Sequence, residues 1–277
     1  PTGAVLAANI YDSVVVFQEQ TGKTFRHTYA AEGAVVRDDA WYETACSGGE
    51  FNVVLDCPGP RQGAAMATLN FLRVYSGVVL FGGRKKIDDT WVPQADTLLY
   101  TFQFKETLDY IWLNKTEEVM CSRQQPCPRA RFGHAMSPYG DNRVFLYGGI
   151  THGDTGGPGS EPDHDETSGV SAFSQKRRVL SRSALVVEES DAWVLHVDAT
   201  VDPDSPVLRW MRLPAPPRNK GIAFASRAFH TMYQLPLVPS AKNGNANRGG
   251  LDADPPLPLI VVFGGCEAND ESEKTHE

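Results

Sequence analysis

Three stretches of this chain are built alike, and they limit what it can fold into. Val78-Val79-Leu80-Phe81, Val144-Phe145-Leu146-Tyr147 and Ile260-Val261-Val262-Phe263 each run directly into a glycine pair: Gly82 and Gly83, Gly148 and Gly149, Gly264 and Gly265. Four consecutive β-formers suit a strand covered on both faces, because no side chain in the run calls for water. A glycine pair at the end of such a strand frees the backbone to turn or bulge, and lets a neighbour approach closely. Three copies make a repeat, and the repeat sets the frame for every other segment.

Each copy is preceded by a second shared block. Arg61-Gln62-Gly63-Ala64-Ala65-Met66, Arg131-Phe132-Gly133-His134-Ala135-Met136 and Arg227-Ala228-Phe229-His230-Thr231-Met232 align without a gap. Asp96-Thr97-Leu98-Leu99-Tyr100 follows the first glycine pair and Asp191-Ala192-Trp193-Val194-Leu195 the second, with Asp39-Ala40-Trp41-Tyr42 as a further copy near the start. A Trp in a short apolar strand closes the unit at Trp112-Leu113 and at Trp210-Met211-Arg212-Leu213. One unit therefore reads as four strands.

This order of blocks resembles the kelch repeat, in the form that carries Arg-x-Gly-His ahead of the double glycine, and the likeness extends over nearly the whole chain. The resemblance implies an all-β fold, a kelch-type β-propeller of four-stranded antiparallel blades. It also implies a protein-interaction module, or a regulatory domain fused to a catalytic one elsewhere. A copper-radical oxidase of the kelch-propeller type is a further alternative, but its ligand motifs find no residue-by-residue match here. The chain departs from the pattern at Ala64, which stands where His134 and His230 stand, and at Phe229, which stands in the place of Gly133. The apolar run Val14-Val15-Val16-Phe17 is followed by Gln18-Glu19 and not by a glycine pair.

On this frame residues 1–57 read as a partial blade, with strands expected over 39–46 and 51–56 around the hairpin signal Ser47-Gly48-Gly49-Glu50. Residues 60–115 form a blade, and residues 129–213 the next. Residues 227–277 begin a further one. The arginines that open the units lie 70 residues apart (61 to 131) and 96 apart (131 to 227). A kelch unit needs about 50, so both intervals hold insertions. The larger spans 150–188, and a second, rich in Pro, Gly and Asn, spans 236–258. With so few blades the propeller is expected to be incomplete in this chain, its remaining blades supplied by a longer polypeptide or by another chain.

Charge and hydropathy exclude some partners. A net charge of -8 argues against general affinity for a nucleic-acid backbone. No apolar run approaches the ~20 residues that span a bilayer, so direct membrane insertion is not expected.

Arg61, Arg131 with His134, and Arg227 with His230 sit at matching repeat positions. They are expected to be structural, hydrogen-bonding loops within or between units. Trp112, Trp193 and Trp210 are expected to wedge between neighbouring blades. His152, Asp154, Asp163, His164, Asp165 and Glu166 are metal-ligand types, but they lie among glycines and prolines that hold nothing at fixed distance. They read as a solvated acidic loop with no metal, and no cofactor is expected.

The sequence has no Gly-x-Ser-x-Gly elbow and no phosphate-cradling Gly-x-x-x-x-Gly-Lys. The expected function is a non-catalytic scaffold that binds protein partners through its loops. The contact residues proposed are the acidic set just named, the basic Lys176, Arg177 and Arg178 of the same insertion, and Lys85 and Lys86 in the shorter loop 84–94.

Five cysteines complete the reading. Cys121 and Cys127 flank a segment short enough to close with a disulfide, and Cys46 and Cys57 bracket the N-terminal hairpin. Asn114-Lys115-Thr116 is an acceptor pattern for N-glycosylation. These features point to a secretory compartment, while an odd number of cysteines and a single acceptor pattern leave a cytoplasmic one equally open.

Overall fold

The apolar run before each glycine pair folds as the second strand of an antiparallel sheet, flanked by polar or small residues that turn the chain. The computed structural model describes residues 5–10, 13–28, 41–44, 56–70, 76–103, 109–121, 127–152, 185–187, 192–200, 202, 205–214, 227–235 and 259–267. Among the described residues the fold is all-β, with no helix, and hence none long and apolar enough to cross a membrane.

The N-terminal segment forms a four-stranded sheet of β1 (Val5–Ile10), β2 (Ser13–Gln18), β3 (Lys23–Thr28) and β4 (Trp41–Glu43), paired in that order. Strand β4 lies inside the segment expected at 39–46. Residues 51–55 of the other expected strand lie outside the described residues. The second sheet is β5 (Ala65–Asn70), β6 (Ser76–Phe81), β9 (Thr97–Gln103) and β10 (Asp109–Asn114). Between β6 and β9 the chain makes a separate hairpin of β7 (Arg84–Ile87) and β8 (Thr90–Pro93), where the sequence suggested only a loop.

After β10, a short β11 (Met120–Cys121) crosses to the outer edge of the third sheet, where it pairs parallel to residues 209–210. That sheet contains β13 (Ala135–Pro138), β14 (Arg143–Tyr147), β17 (Ala192–Asp198) and β18 (Val207–Arg212). A smaller sheet joins β12 (Arg131–Phe132), β15 (Ile150–His152) and β16 (Leu185–Val187), so both ends of the 150–188 insertion are tied together at its base. The last described strands are β19 (Arg227–Ala228), β20 (Thr231–Leu235), β21 (Leu259–Phe263) and β22 (Cys266–Glu267), pairing as β19 with β22 and β20 with β21.

Register shows how closely the units correspond. Met66 faces Leu80 across its pair, Met136 faces Leu146 and Met232 faces Val262, each partner lying two residues before the glycine pair. Ala7 faces Val16 in the same way, which places Gln18 and Glu19 where the other units carry glycines. The first strands β1, β5, β13 and β20 lie side by side. They line a cavity of about 500 Å³ with the same register positions in each: residues 7–9, 66–68, 136–138 and 232–234.

The sheets stack face to face, and the core lies between them. Val15 and Phe17 pack with Val78, Leu80, Tyr100 and Trp112 in one layer. Val79, Phe81 and Leu99 pack with Leu146, Leu195 and Trp210 in the next. Strand β6 thus alternates its side chains between two cores, which is why its run is apolar at every position. Trp112 Nε1 donates to Thr24 Oγ1 at 2.9 Å, and Trp210 Nε1 donates to Thr97 Oγ1 at 3.3 Å. Each Trp sits in the fourth strand of its sheet and bonds the third strand of the preceding sheet, at matching register.

Among the described residues the last sheet is the least covered. Phe263 is 76% exposed, whereas its counterparts Phe81 and Tyr147 are 1% and 5% exposed. Leu259 and Val261 are exposed on the same strand.

The glycine pairs answer a steric demand made by the following unit. A methyl group on Gly82 would lie 2.6 Å from the carbonyl oxygen of Arg131 and 3.1 Å from Cε1 of His134. One on Gly148 would overlap the Arg227 carbonyl and lie 2.9 Å from Cε1 of His230. At Gly264 nothing among the described residues lies within 4 Å. All three have a left-handed backbone (φ of 62, 69 and 72°), so alanine costs about 1–2 kcal/mol at each from backbone strain alone. Overpacking adds about 1–3 kcal/mol where a neighbour is present. Gly82→Ala is therefore expected to lower denaturant stability by about 1–3 kcal/mol more than Gly264→Ala; equal losses would refute the steric account.

Candidate interaction site at the glycine-pair end

An arginine begins each unit because its guanidinium can reach a carbonyl that the left-handed glycine turns out of the sheet. Nη1 donates to the carbonyl of Gly82 from Arg61 (2.9 Å), of Gly148 from Arg131 (2.9 Å) and of Gly264 from Arg227 (2.8 Å). The arginine's own backbone then ties its unit to the preceding one: the Gly83 N–H donates to the Arg131 carbonyl at 2.8 Å, and the Gly149 N–H to the Arg227 carbonyl at 2.9 Å. Asp96 holds both terminal nitrogens of the buried Arg61 at 2.9 Å, and Arg61 also donates to the Pro58 carbonyl. A bidentate carboxylate compensates a guanidinium that burial would otherwise leave costly.

The histidines behave differently from the expectation that they hydrogen-bond loops. His134 stands edge-on to Phe81 of the preceding sheet (centroids 5.4 Å, 74°), and His230 does the same to Tyr147 (5.4 Å, 73°). Both imidazoles are buried; among the described residues neither ring nitrogen of His230 is hydrogen-bonded, and the polar neighbour of the His134 ring is the Phe81 backbone. Burial, then the charges of Arg131 and His230, hold the His134 pKa well below the usual histidine value. Burial, then Arg227, pushes that of His230 down to about 4. These are neutral packing groups.

Glu19 escaped the sequence reading. It occupies the place of the second glycine in the first unit, where its carboxylate accepts the Ala64 N–H at 3.0 Å and its carbonyl accepts the Arg61 N–H at 2.7 Å. Burial raises its pKa, against the lowering effect of the Ala64 and Gly63 amides and of Arg61.

Just outside these junctions lies a row of aromatic and cationic groups. The Arg84 guanidinium is stacked between Trp91 (4.9 Å to the ring centroid) and Phe132 (4.8 Å), and it donates to Gln62 Oε1 at 3.1 Å. Phe132 meets Phe229 edge-on at 6.2 Å. The row thus runs from hairpin β7–β8 across β12 to β19. Trp91, Ile87 and Phe229 are solvent-exposed along it.

Phe229 has a left-handed backbone, φ 57°, matching φ 65° at Gly63 and 67° at Gly133. In the other two units a glycine meets this requirement; here a bulky aromatic does, with 59% of its surface exposed. Its ring lies over Gly133, where a methyl group would come within 3.0 Å of it.

Of the contact residues proposed from sequence, Lys85 and Lys86 lie in β7. Lys85 pairs with Asp96 at 3.3 Å and Lys86 with Asp89 at 2.7 Å. The His152 backbone ends β15. Asp154, Asp163, His164, Asp165, Glu166, Lys176, Arg177 and Arg178 lie outside the described residues. Among the described residues no three His, Cys, Asp or Glu side chains gather as a metal site would require. Trp193 is buried in the third sheet with no partner for its Nε1 among the described residues, and Arg212 lies 5.8 Å over its ring. Cys121 and Cys127 are joined by a disulfide, with Cα atoms 5.3 Å apart, and Cys57 is disulfide-bonded as well.

No family model and no curated protein matches this chain.

The buried histidines give the fold a defined acid response. An unfolded imidazole takes up its proton near pH 6.5, whereas His230 does so only at about pH 4 when folded. Between these values the unfolded state binds more protons, so the stability present above about pH 6.5 is lost as pH falls through that window. The denaturant midpoint is expected to drop between pH 6.5 and about pH 5, and His230→Gln should flatten that part of the profile. An unchanged slope in the variant would show that His230 is not held neutral.

Proposed function

We propose that the chain is part of a kelch-type β-propeller that serves as a non-catalytic protein-interaction scaffold, with the Trp91–Arg84–Phe132–Phe229 row forming part of its docking face. The observation that carries the reading is Phe229. Left-handed backbone at a non-glycine residue costs about 1–2 kcal/mol, and such strain persists where it serves a site. Here it holds an aromatic ring on the surface, at a position where the repeat otherwise uses glycine. Exposed Trp, aromatic and Arg side chains are the groups that carry binding energy at protein interfaces.

The propeller reading is supported by the matched registers and by inner strands that share one cavity. The scaffold reading is supported by the repeat arginines and histidines, which are buried or committed to joining sheets and so are unavailable for chemistry. Partners are proteins. Hairpin β7–β8 and the two insertions at 150–188 and 236–258 supply the remaining contacts.

Phe229→Gly separates binding from folding. It restores the residue used at positions 63 and 133 and relieves about 1–2 kcal/mol of backbone strain, so stability should change by no more than about 2 kcal/mol. Partner affinity of the complete gene product should fall at least tenfold, and Trp91→Ala should act in the same direction. Affinity measured by titration calorimetry that is unchanged in both variants would remove the docking face from the account.

A further inference from the structure

We infer that Asn114 carries an N-linked glycan, and that the protein matures in an oxidising secretory compartment. Two independent observations meet here. The first is the acceptor itself. Asn114 ends β10, the outer strand of the second sheet, and is exposed together with Thr116, while Lys115 between them is turned inward (5% exposed) and bound to Glu118 at 2.6 Å. Asn114 Oδ1 accepts the Thr116 N–H at 3.0 Å, closing an Asx turn. That bond uses the oxygen and leaves the amide nitrogen facing solvent with no bond among the described residues. This is the only Asn-x-Ser/Thr in the sequence.

The second observation is the state of the cysteines around it. The backbone N–H of Asn114 donates to Asp56 Oδ2 at 3.1 Å, beside the disulfide-bonded Cys57, and the Cys121–Cys127 disulfide follows a few residues later in the chain. Disulfides persist in secreted and lumenal proteins and are rare where glutathione keeps thiols reduced. The compartment that forms them also contains the glycosylation machinery. In the transfer, the Asn114 Nδ2–C1 bond forms as the C1–O bond to a diphosphate-linked lipid carrier breaks. The carrier diphosphate leaves with the electron pair, and the amide proton passes to solvent.

The location also gives the glycan a physical task. Among the described residues strand β10 is the outer strand of its sheet, a position at which one β-strand can recruit another. A bulky hydrated oligosaccharide at its end obstructs such pairing.

The test uses the complete gene product from its native source, with free thiols alkylated before any reduction. The sample is treated with peptide N-glycosidase in heavy-oxygen water, and its peptides are mapped. Asn114 is expected to appear as Asp carrying one heavy oxygen, with Cys121 and Cys127 unalkylated. Unmodified Asn114 in the treated sample would overturn the proposal, as would alkylated Cys121 and Cys127. A paired variant excludes misassignment: Asn114→Asp keeps the oxygen acceptor for Thr116 but has no transferable amide. Its gel shift on deglycosylation should vanish for this site, while Thr116→Ser should retain the shift. Glycosylation surviving at this peptide in Asn114→Asp would also overturn the proposal.

Discussion

Everything in this fold passes through the carbonyl of the first glycine in each pair. A left-handed glycine points that carbonyl at the arginine beginning its own unit, and the missing side chain leaves room for the backbone of the next unit's arginine. One residue type therefore satisfies a hydrogen bond within a sheet and a close approach between sheets. Buried guanidinium and carbonyl groups tolerate little error, since an unmet buried polar group costs about 1–3 kcal/mol. The arginine bonds at Arg61, Arg131 and Arg227 repeat within their own units, and the Gly83 and Gly149 amides, bonded to the Arg131 and Arg227 carbonyls, join one sheet to the next. The Trp-to-Thr bonds at the outer strands lock the other side of the same interfaces.

Once the sheets are fixed in this way, the hairpins between second and third strands all leave from the same end. Hairpin β7–β8 and the base of the 150–188 insertion, β15–β16, start from matching positions beside the arginines. A rigid frame with variable excursions at one end is the arrangement in which loops acquire binding roles. Phe229 adds an exposed aromatic ring beside these excursions, on a left-handed backbone.

Much of this was legible in the sequence. The glycine-pair runs located β6, β14 and β21, and the aligned arginine blocks located β5, β13 and β20, because both signals are periodic and local. Strand β3 was not legible: Lys23-Thr24-Phe25-Arg26-His27-Thr28 lacks an apolar run, and its place comes from pairing with β2. Glu19 was missed because a carboxylate in a glycine's place looks like a break in the repeat, and only its bond to the Ala64 amide shows that it joins the next unit. The aromatic row was hidden for another reason. Arg84, Trp91, Phe132 and Phe229 come from three separate units, and only the side-by-side packing of those units brings them together. The histidines matched in sequence, yet their role as neutral packing groups depends on the aromatic residue contributed by the preceding sheet.

Native-state hydrogen exchange at the second glycine of each pair tests the central claim most directly. The Gly83 and Gly149 amides bond to the arginine carbonyl of the following unit, so they should exchange only through opening of an inter-sheet interface, with protection near that of the core strands. The Gly265 amide has no such partner among the described residues and should exchange orders of magnitude faster. Comparable fast exchange at all three glycines would contradict an account in which these pairs join one sheet to the next.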